Sequence, residues 1–463
     1  MKSPLKYSIL FLILIGTGCA GGFLVPGPES PLVVPAEGPV PGVPPELTTS
    51  DYWIRMTEHP DDLLMTPDDI DSLNTGIRAR TDTVRDILSL PEQFDGTPFR
   101  DFIAASARYF DGEQLSMPGG VPLEEAERVR IIARVDTLAV PAAITPRFGI
   151  TLHQTAGRIW PTDILMQLPS DVEIDQNMTA AVDMATPVAL IHTSRDGRWV
   201  FVQTPRSLCW LPSEAVAFGT RETVRLFTEP SPPLVAVGDE VTVYASPESS
   251  VALGSLRMGD SLPLQTAGTE FCQVAVPVRG ANGNVAVGSG FVRLSSDVSI
   301  GFLPYTLRNV YRQAFTLFGA RWGYNGMYGG RDGAGFIVDI FRCFNIQLPR
   351  DITGQVQASP ATLHFFGMDR DIRLVTIRSL PGGISLIGFD GHVMLYLGEA
   401  YGEQFVIHSL RNWRELDGTG TDIIHRTARV VVTGLNLEGG TGMGTYLDRL
   451  TDAAILGNYT VSQ

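Results

Sequence analysis

Hydrophobic positions along the chain follow two spacings, which divide it into three regions. The spacing in the first region is helical. After the capping sequence TPDD, which begins at Thr66, apolar residues recur every three or four positions. Similar patterns cover residues 83–88 and 123–135. These spacings predict that residues 49–140 form a small, mainly helical N-terminal domain.

The second spacing is that of β-strands, in short runs separated by Gly, Pro, Asn and Asp. An Asp-Gly pair at 196 and an Asn-Gly pair at 282 each lie between two such runs, which is a strong signal for a β-hairpin. Roughly 150 residues of this pattern exceed one small barrel and are enough for two. We therefore predict two small β-barrels of the Src-homology-three-like type, at 141–220 and 221–297.

The third part of the chain, residues 298–463, mixes both spacings. Amphipathic helices are predicted from Leu307 to Phe318 and from Ala334 to Phe344, and the β-rich runs HVMLYLG and QFVIHSL follow them. Helices first and antiparallel strands afterwards is an order typical of an α+β domain. The whole chain is thus predicted to be a multidomain α+β protein.

An apolar run from Tyr7 to Ile15 follows two lysines and precedes small residues, which is the pattern of a secretory signal peptide. The run is too short to span a bilayer as a stable helix. Residues 1–18 are therefore predicted to direct export and then to be removed, which places the protein in the cell envelope.

Cys19 follows those small residues directly, and this arrangement resembles the signal of bacterial lipoproteins, whose cysteine is diacylated and becomes the mature N-terminus. Gly16 stands where such signals usually carry Leu, and ordinary secretion with Cys19 inside the leader is the alternative. By resemblance to Gram-negative sorting signals, Ala20 favours the outer membrane, with the protein on its periplasmic face. Residues 19–48, rich in Pro, Gly and Val, are predicted to be an extended tether between the lipid and the first domain.

Composition narrows the classes of function. The chain has 463 residues and an apolar content of 44%, which is typical of packed globular domains. Removing residues 1–18 deletes two lysines and no acidic residue, so the formal charge falls from −15 to −17. This negative field argues against nucleic acid as a partner.

The cysteines beyond the leader are too widely spaced for a disulfide scaffold or a zinc cluster. They are Cys209, Cys272 and Cys343. We predict that they are small buried hydrophobic residues, with oxidation of one pair as the alternative.

Thiol hydrolases of the papain-like kind place a cysteine in the first turn of a helix, where the helix dipole stabilises the thiolate. A histidine from a neighbouring strand takes its proton, and a third polar group orients that ring. Here Asp332 precedes a predicted helix, His392 begins a strand and His408 lies in the next one. Each alone has an ordinary explanation, as a helix cap or a structural histidine. Together and in this order they indicate a papain-like site.

The segment WGYNGMYGGRDGAGFIVDIFRCFNIQLPRD, together with HVMLYLG, resembles the NlpC family of peptidoglycan endopeptidases. Members carry an aromatic and glycine-rich loop, Asp-Cys-Ser at the start of the catalytic helix, Leu-Pro-Arg after it, and a strand that begins with histidine. In this chain Gly333 and Ala334 replace the Cys-Ser pair, and Asn325 stands for a loop glycine. The helical region, the two barrels and the peptidase-like domain also match a multidomain architecture known in the family.

The resemblance implies a set of site residues. His392 and His408 correspond to the catalytic histidine and its polar partner, and Gly333 marks the vacated position of the nucleophile. The implied binding residues are Trp322, Tyr324, Asp332 and Arg350, with Asp332 suited to pairing with the amino terminus of a short peptide.

The implied reaction is hydrolysis of the bond between D-glutamate and the diamino acid of cell-wall stem peptides, without a cofactor. Glycine has no nucleophilic atom, and Cys343 lies about 15 Å further along the same helix, so we predict an inactive domain. Its predicted partners are peptidoglycan stem peptides or an active peptidase.

Three alternatives remain at this point. One is an active hydrolase with an unidentified nucleophile, and another is a structural lipoprotein whose barrels mediate protein contacts. In the third, the two histidines are kept for packing or, with Asp332, for binding a metal ion.

Overall fold

The computed structural model describes residues 32–35, 40–359 and 361–457. The predicted signal peptide and Cys19 lie outside the described residues. Among the residues that are described, no helix has both the length and the apolarity that crossing a bilayer requires. The first described element is strand β1 (Leu32–Pro35), which belongs to the segment predicted to be a tether.

The N-terminal part of the chain is mainly helical, as predicted, and its capping box at Thr66 is present, with both reciprocal hydrogen bonds to Asp69. Its elements are 3-10 helices Pro45–Thr48, Ile87–Ser89 and Thr137–Ala139, helices α1 (Ser50–Met56), α2 (Pro67–Arg80), α3 (Thr97–Ala107) and α4 (Glu125–Val135), and strands β2 (Phe94–Asp95), β3 (Ser116–Met117), β4 (Val121–Pro122) and β5 (Ala143–Ile144). The helix predicted over 83–88 is wrong, because β-branched residues and Pro91 limit this stretch to one 3-10 turn.

The N-terminal helices do not share a core of their own. Trp53 of α1 and Ile77 of α2 are buried in the core of the C-terminal domain. Ile103 of α3 and Val135 of α4 pack instead against Trp210 of the first barrel. Residues of the region predicted as one helical domain are therefore distributed over several cores, each shared with a neighbouring domain.

The end of the predicted tether is also packed. Leu47 is completely buried in the core of the C-terminal domain, and Val40 is buried near Trp413. Strand β1 pairs with residues 423–426 in parallel. The Pro-rich composition predicted an extended tether, whereas its described part contains the 3-10 helix Pro45–Thr48 as well as strand β1 and docks onto the fold.

The first barrel contains the hairpin predicted at Asp196-Gly197, with Gly197 in the left-handed region at a φ of 71°. Its strands are β6 (Arg147–Thr151), β7 (Thr155–Arg158), β8 (Met178–Val182), β9 (Pro187–Thr193), β10 (Trp199–Gln203), β11 (Leu208–Pro212) and β12 (Val216–Gly219). They form an antiparallel sheet in the order β12-β6-β9-β10-β11-β7-β8. A 3-10 helix, Ser213–Ala215, precedes the last strand.

The second barrel begins after a linking helix, α5 (Arg221–Thr228), and contains the hairpin predicted at Asn282-Gly283. Its strands are β13 (Pro233–Ala236), β14 (Glu240–Tyr244), β15 (Ala252–Arg257), β16 (Ser261–Ala267), β17 (Phe271–Arg279), β18 (Val285–Arg293) and β19 (Val298–Ile300). Their order is β15-β14-β18-β17-β16-β13-β19.

The C-terminal domain places helices before and beside one sheet, as predicted for an α+β domain; its own strands pair antiparallel, and β1 adds to the edge in parallel. Its elements are helices α6 (Leu307–Thr316), α7 (Gly333–Arg342), α8 (Ile352–Ala358), α9 (Arg370–Arg378) and α10 (Tyr446–Arg449), the 3-10 helix Tyr324–Gly329, and strands β20 (Ala361–His364), β21 (Ser385–Phe389), β22 (His392–Ala400), β23 (Glu403–Leu416), β24 (Asp422–Gly434) and β25 (Asp452–Ile455). The sheet order is β1-β24-β23-β22-β21-β25-β20.

Helix α7 is the central element of the molecule. Every residue from Gly333 to Phe341 is buried, because one side of the helix packs on the sheet and the other faces the two barrels. A helix covered on all sides cannot show a clean amphipathic stripe. The glycine-rich start of α7 fits this crowding.

Buried ion pairs join α7 to the barrels. The carboxylate of Asp339 on α7 accepts hydrogen bonds from Arg331 Nε at 2.7 Å and from Arg257 Nη2 of the second barrel at 3.2 Å. Burial opposes ionisation of Asp339, but the guanidinium groups of Arg257, Arg331 and Arg342 outweigh it and lower its pKa to about 2. This carboxylate therefore stays charged and holds cations from two domains.

We predict that Asp339→Asn lowers the free energy of unfolding by about 3–5 kcal/mol, since removing one partner of a buried ion pair leaves the others uncompensated. Chemical denaturation measures the change. The matched control is Asp111→Asn, which removes a carboxylate from an exposed pair with Arg108 and should have little effect. Equal losses in the two variants would contradict a central role for Asp339.

Candidate functional site

The candidate site begins at the first turn of α7. Asp332 caps the helix, and its Oδ1 accepts a hydrogen bond from the Gly335 amide at 2.8 Å. The next residue, Gly333, lies against β22, where an added Cβ atom would be 3.2 Å from the carbonyl oxygen of Val393. A side chain at 333 thus fits with a shift of a few tenths of an ångström. It would project at the strand position directly after His392.

The two predicted histidines meet across neighbouring strands. His392 at the start of β22 and His408 on β23 are joined by a hydrogen bond of 2.6 Å from Nε2 of the first ring to Nδ1 of the second. His408 Nε2 lies 2.9 Å from the hydroxyl of Thr433 on β24. Thr433 completes a relay that the sequence did not reveal, because its partner is 25 residues away in the chain.

The histidine pair lies in an apolar and aromatic environment. Phe389 and Tyr446 both contact the ring of His392. Burial, helped by the positive charge of Arg449 and opposed by Asp332, lowers the pKa of His392 to about 4. Burial and the neighbouring ring lower the pKa of His408 well below its usual range. Both imidazoles are therefore neutral at pH 7, the form in which a ring nitrogen can accept a proton.

Asp332 and Arg350, both predicted to contact a ligand, contact each other. Arg350 Nη1 lies 2.8 Å from Oδ1 of Asp332, and its Nη2 donates to Oδ2 at 2.8 Å. The Asn325 amide also donates to Oδ2, at 2.9 Å. Burial opposes ionisation of Asp332, but Arg350 and these amides lower its pKa. A ligand ammonium would have to compete with Arg350, and a direct binding role for either residue stays a prediction.

The loop before α7 docks on the first barrel. The side-chain amide of Asn325 donates to the Met178 carbonyl of β8 at 2.9 Å. Asn325 adopts a φ of 51°, a left-handed conformation that favours glycine and is tolerated by asparagine. This explains how asparagine can stand where the resembled family carries glycine. The first barrel therefore forms one wall beside the helix start.

The aromatic residues predicted in this loop have different environments. Trp322 is buried, and the guanidinium carbon of Arg411 lies 5.1 Å from its ring centroid. Arg411 in turn forms a bidentate ion pair with Asp171 of the first barrel. Tyr324 is half-buried at the start of the 3-10 helix. Trp322 thus contributes to the contact between the two domains.

No other cysteine in the described chain can replace the missing thiol. Cys209, Cys272 and Cys343 are buried and unpaired with one another. Cys343 faces Gln313 and the Ala236 carbonyl of the second barrel, and burial raises its pKa to about 12. Among the residues the structure describes, no three His, Cys, Asp or Glu side chains are grouped to hold a metal ion.

Comparison with known proteins supports the fold. Residues 167–212, inside the predicted first barrel, match the family model of the SH3 domain (SH3b1 type). A solved structure of an NlpC/P60 endopeptidase from Photobacterium damselae subsp. piscicida has a TM-score of 0.71 at 15% identity, over 92% of this chain and 99% of that one.

A second solved structure, an NlpC/P60 family protein from Bacillus cereus ATCC 10987, has a TM-score of 0.41 at 17% identity, over 59% of this chain and 81% of that one. No curated protein matches the sequence. The likeness to the Photobacterium protein extends over almost the full length of both chains. It confirms the predicted multidomain α+β fold and the resemblance to NlpC-type peptidases at the level of structure.

We predict that two of the seven histidines keep the chemical shifts of neutral imidazole when the pH is lowered from 8 to 5.5. The pKa values of His392 and His408 lie below that range, whereas a solvated histidine has a pKa near 6.5. Histidine-selective NMR measures this, and His392→Gln and His408→Gln identify the two signals. A midpoint near 6.5 for either ring would show that the pair is solvated and not formed as described.

Proposed function

We propose that this protein is a cell-envelope lipoprotein whose peptidase-like domain binds cell-wall stem peptides without cleaving them. One observation carries the proposal. Gly333 occupies the first turn of α7, next to the strand that bears His392, while the His392–His408 pair and Thr433 are in hydrogen-bonding geometry. The proton acceptor is in place and the nucleophile is missing.

Loss of the nucleophile is decisive for the rate. In hydrolases with such a constellation, removing the nucleophile typically reduces turnover by about six orders of magnitude. The described cysteines cannot compensate, because Cys343 contacts the second barrel and Cys209 is buried within the first. This argues against the alternative of an active hydrolase with another thiol.

The features that support binding are those that remain. The first barrel and the loop at Asn325 form a wall beside the helix start, and His392 keeps part of its surface exposed. The similar structure from Photobacterium damselae subsp. piscicida is that of an endopeptidase, which supports a peptide as the ligand. Stem peptides of peptidoglycan, or an active peptidase that uses them, are the proposed partners. A purely structural lipoprotein is the second candidate.

The proposed location rests on the sequence alone. The leader of residues 1–18 and the cysteine that follows it support export and lipidation at Cys19, and Ala20 supports the outer membrane. Mass spectrometry of the mature N-terminus tests the lipid. The proposed binding of stem peptides does not depend on the lipid.

We expect the chain from residue 20 onward, which contains every described residue, to bind L-Ala-D-Glu-type stem peptides without cleaving them above background. Calorimetry measures binding, and chromatography of the peptides measures cleavage. Turnover that His392→Ala abolishes would overturn the proposal of an inactive domain. Absence of binding together with absence of cleavage would favour the structural lipoprotein.

We also expect Gly333→Cys to restore thiol chemistry. The new side chain lies at a helix N-terminus against β22, the strand that begins with His392, where an imidazole can take up its proton and pair with the thiolate. Alkylation by iodoacetamide should be at least tenfold faster than in the same variant carrying His392→Ala, and slow thiol-dependent cleavage of stem peptides should appear. Adding Ala334→Ser should increase that cleavage if the hydroxyl contacts substrate.

The matched control for this experiment is Gly333→Ala, which adds a Cβ atom without a thiol and should remain inert. The three buried cysteines should stay unreactive in every folded variant. A folded Gly333→Cys protein that is neither alkylated faster nor able to cleave peptide would show that the candidate site lacks further groups needed for catalysis besides the nucleophile.

A further inference from the structure

A second pocket lies away from the histidine pair, where the first barrel, the second barrel and α7 meet. It is a cavity of about 70 Å³. Four arginines line it: Arg206 from the first barrel, Arg257 from the second, and Arg342 and Arg350 from the C-terminal domain. Only two carboxylates, Asp183 and Asp339, share that lining. The wall of the cavity is therefore rich in positive charge.

Three of the four guanidinium groups have carboxylate partners. Arg257 pairs with Asp339 at 3.2 Å, Arg342 with Asp183 at 3.1 Å, and Arg350 with Asp332 at 2.8 Å. These pairs are formed within the chain and explain the orientation of their arginines.

Arg206 is the exception. Its Nε donates to the Leu348 carbonyl at 3.1 Å, and among the described residues no carboxylate lies within ion-pairing distance of it. Burial and the nearby charge of Arg342 lower its pKa to about 10. Its Nη groups, four N–H donors in all, have no hydrogen-bond partner in the described chain. Arg206 is half-buried, so these donors reach the water of the cavity, and a bound anion would take the place of that water and pair with the guanidinium.

The carboxylates near the cavity already have arginine partners other than Arg206. Asp260 pairs with Arg342 on the side of the second barrel, and burial together with Asp183 raises its pKa to about 7. Asp332 is engaged by Arg350 and by the start of α7.

We propose that this cavity binds a small tetrahedral oxyanion, phosphate or sulfate, between Arg206 and the arginines of α7 and its following loop. Planar guanidinium forks match such oxygens in geometry and charge. The anion would tie the first barrel to the C-terminal domain through Arg206, Arg342 and Arg350. This site shares Asn325, Gly335 and Arg350 with the start of α7 but does not contain the histidine pair, and it does not depend on the proposed peptide binding.

Thermal unfolding of the chain from residue 20 onward tests the site. In phosphate, compared with chloride at equal pH and ionic strength, the melting temperature should rise with concentration and then saturate. Phosphate and sulfate stabilise most proteins without binding, by exclusion from the surface. The specific part is therefore the difference between the wild type and Arg206→Gln, which should lose the saturable rise and bind phosphate at least tenfold more weakly by calorimetry.

Two further variants make the result interpretable. Arg198→Gln removes an exposed arginine from the same barrel and should retain the full phosphate response. Arg206→Lys keeps the charge and should retain part of it, which covers the case in which Arg206→Gln folds poorly. In chloride, Arg206→Gln should be at least as stable as the wild type, since it removes an unpaired cation.

The same measurement with glycerol phosphate distinguishes a phosphate headgroup from the free phosphate ion as the ligand. A saturable rise as large as that with inorganic phosphate indicates that a phosphate headgroup can enter, and a smaller one indicates the free ion. The proposal is overturned if wild type and Arg206→Gln respond equally to phosphate, because the cavity would then contain water only.

Discussion

The arrangement of this molecule depends on one buried carboxylate. Asp339 lies in the middle of α7 and holds Arg331 of its own domain and Arg257 of the second barrel. Because ionic contacts with several fixed partners tolerate little rotation, they set how the helix start is oriented relative to the barrels. The helix start carries Gly333 and the cap at Asp332. The position of the candidate site is thus a consequence of how three domains share their charges.

Short-range patterns predicted most of the fold. The capping box at Thr66, the hairpins at Asp196-Gly197 and Asn282-Gly283, and the helix that begins at Gly333 each depend on a few neighbouring residues, and all are present. The histidine strands followed from a resemblance in motif. The sequence could not predict which apolar faces meet, so the N-terminal helices were assigned a single core, whereas they contribute to several.

In the candidate site, too, contacts between residues that are distant in sequence could not be predicted. The pairing of Asp332 with Arg350 joins residues 18 positions apart, and the contact of His408 with Thr433 joins residues 25 apart. Hydrogen bonds between such distant residues leave no periodic signal. They also give a physical reason why the histidine pair can persist without a thiol. His408 has a partner at each ring nitrogen and His392 is hydrogen-bonded through Nε2, so the pair is a self-sufficient element of the core.

Strand β1 has a consequence for geometry in the envelope. It begins at Leu32, 13 residues after Cys19, and is fixed to the edge of the sheet beside β24. Fully extended, 13 residues span at most about 45 Å. In the proposed lipoprotein, this short connection would keep the candidate site within the layer of cell wall nearest the anchoring membrane. Wall fragments further from that membrane would lie beyond its reach.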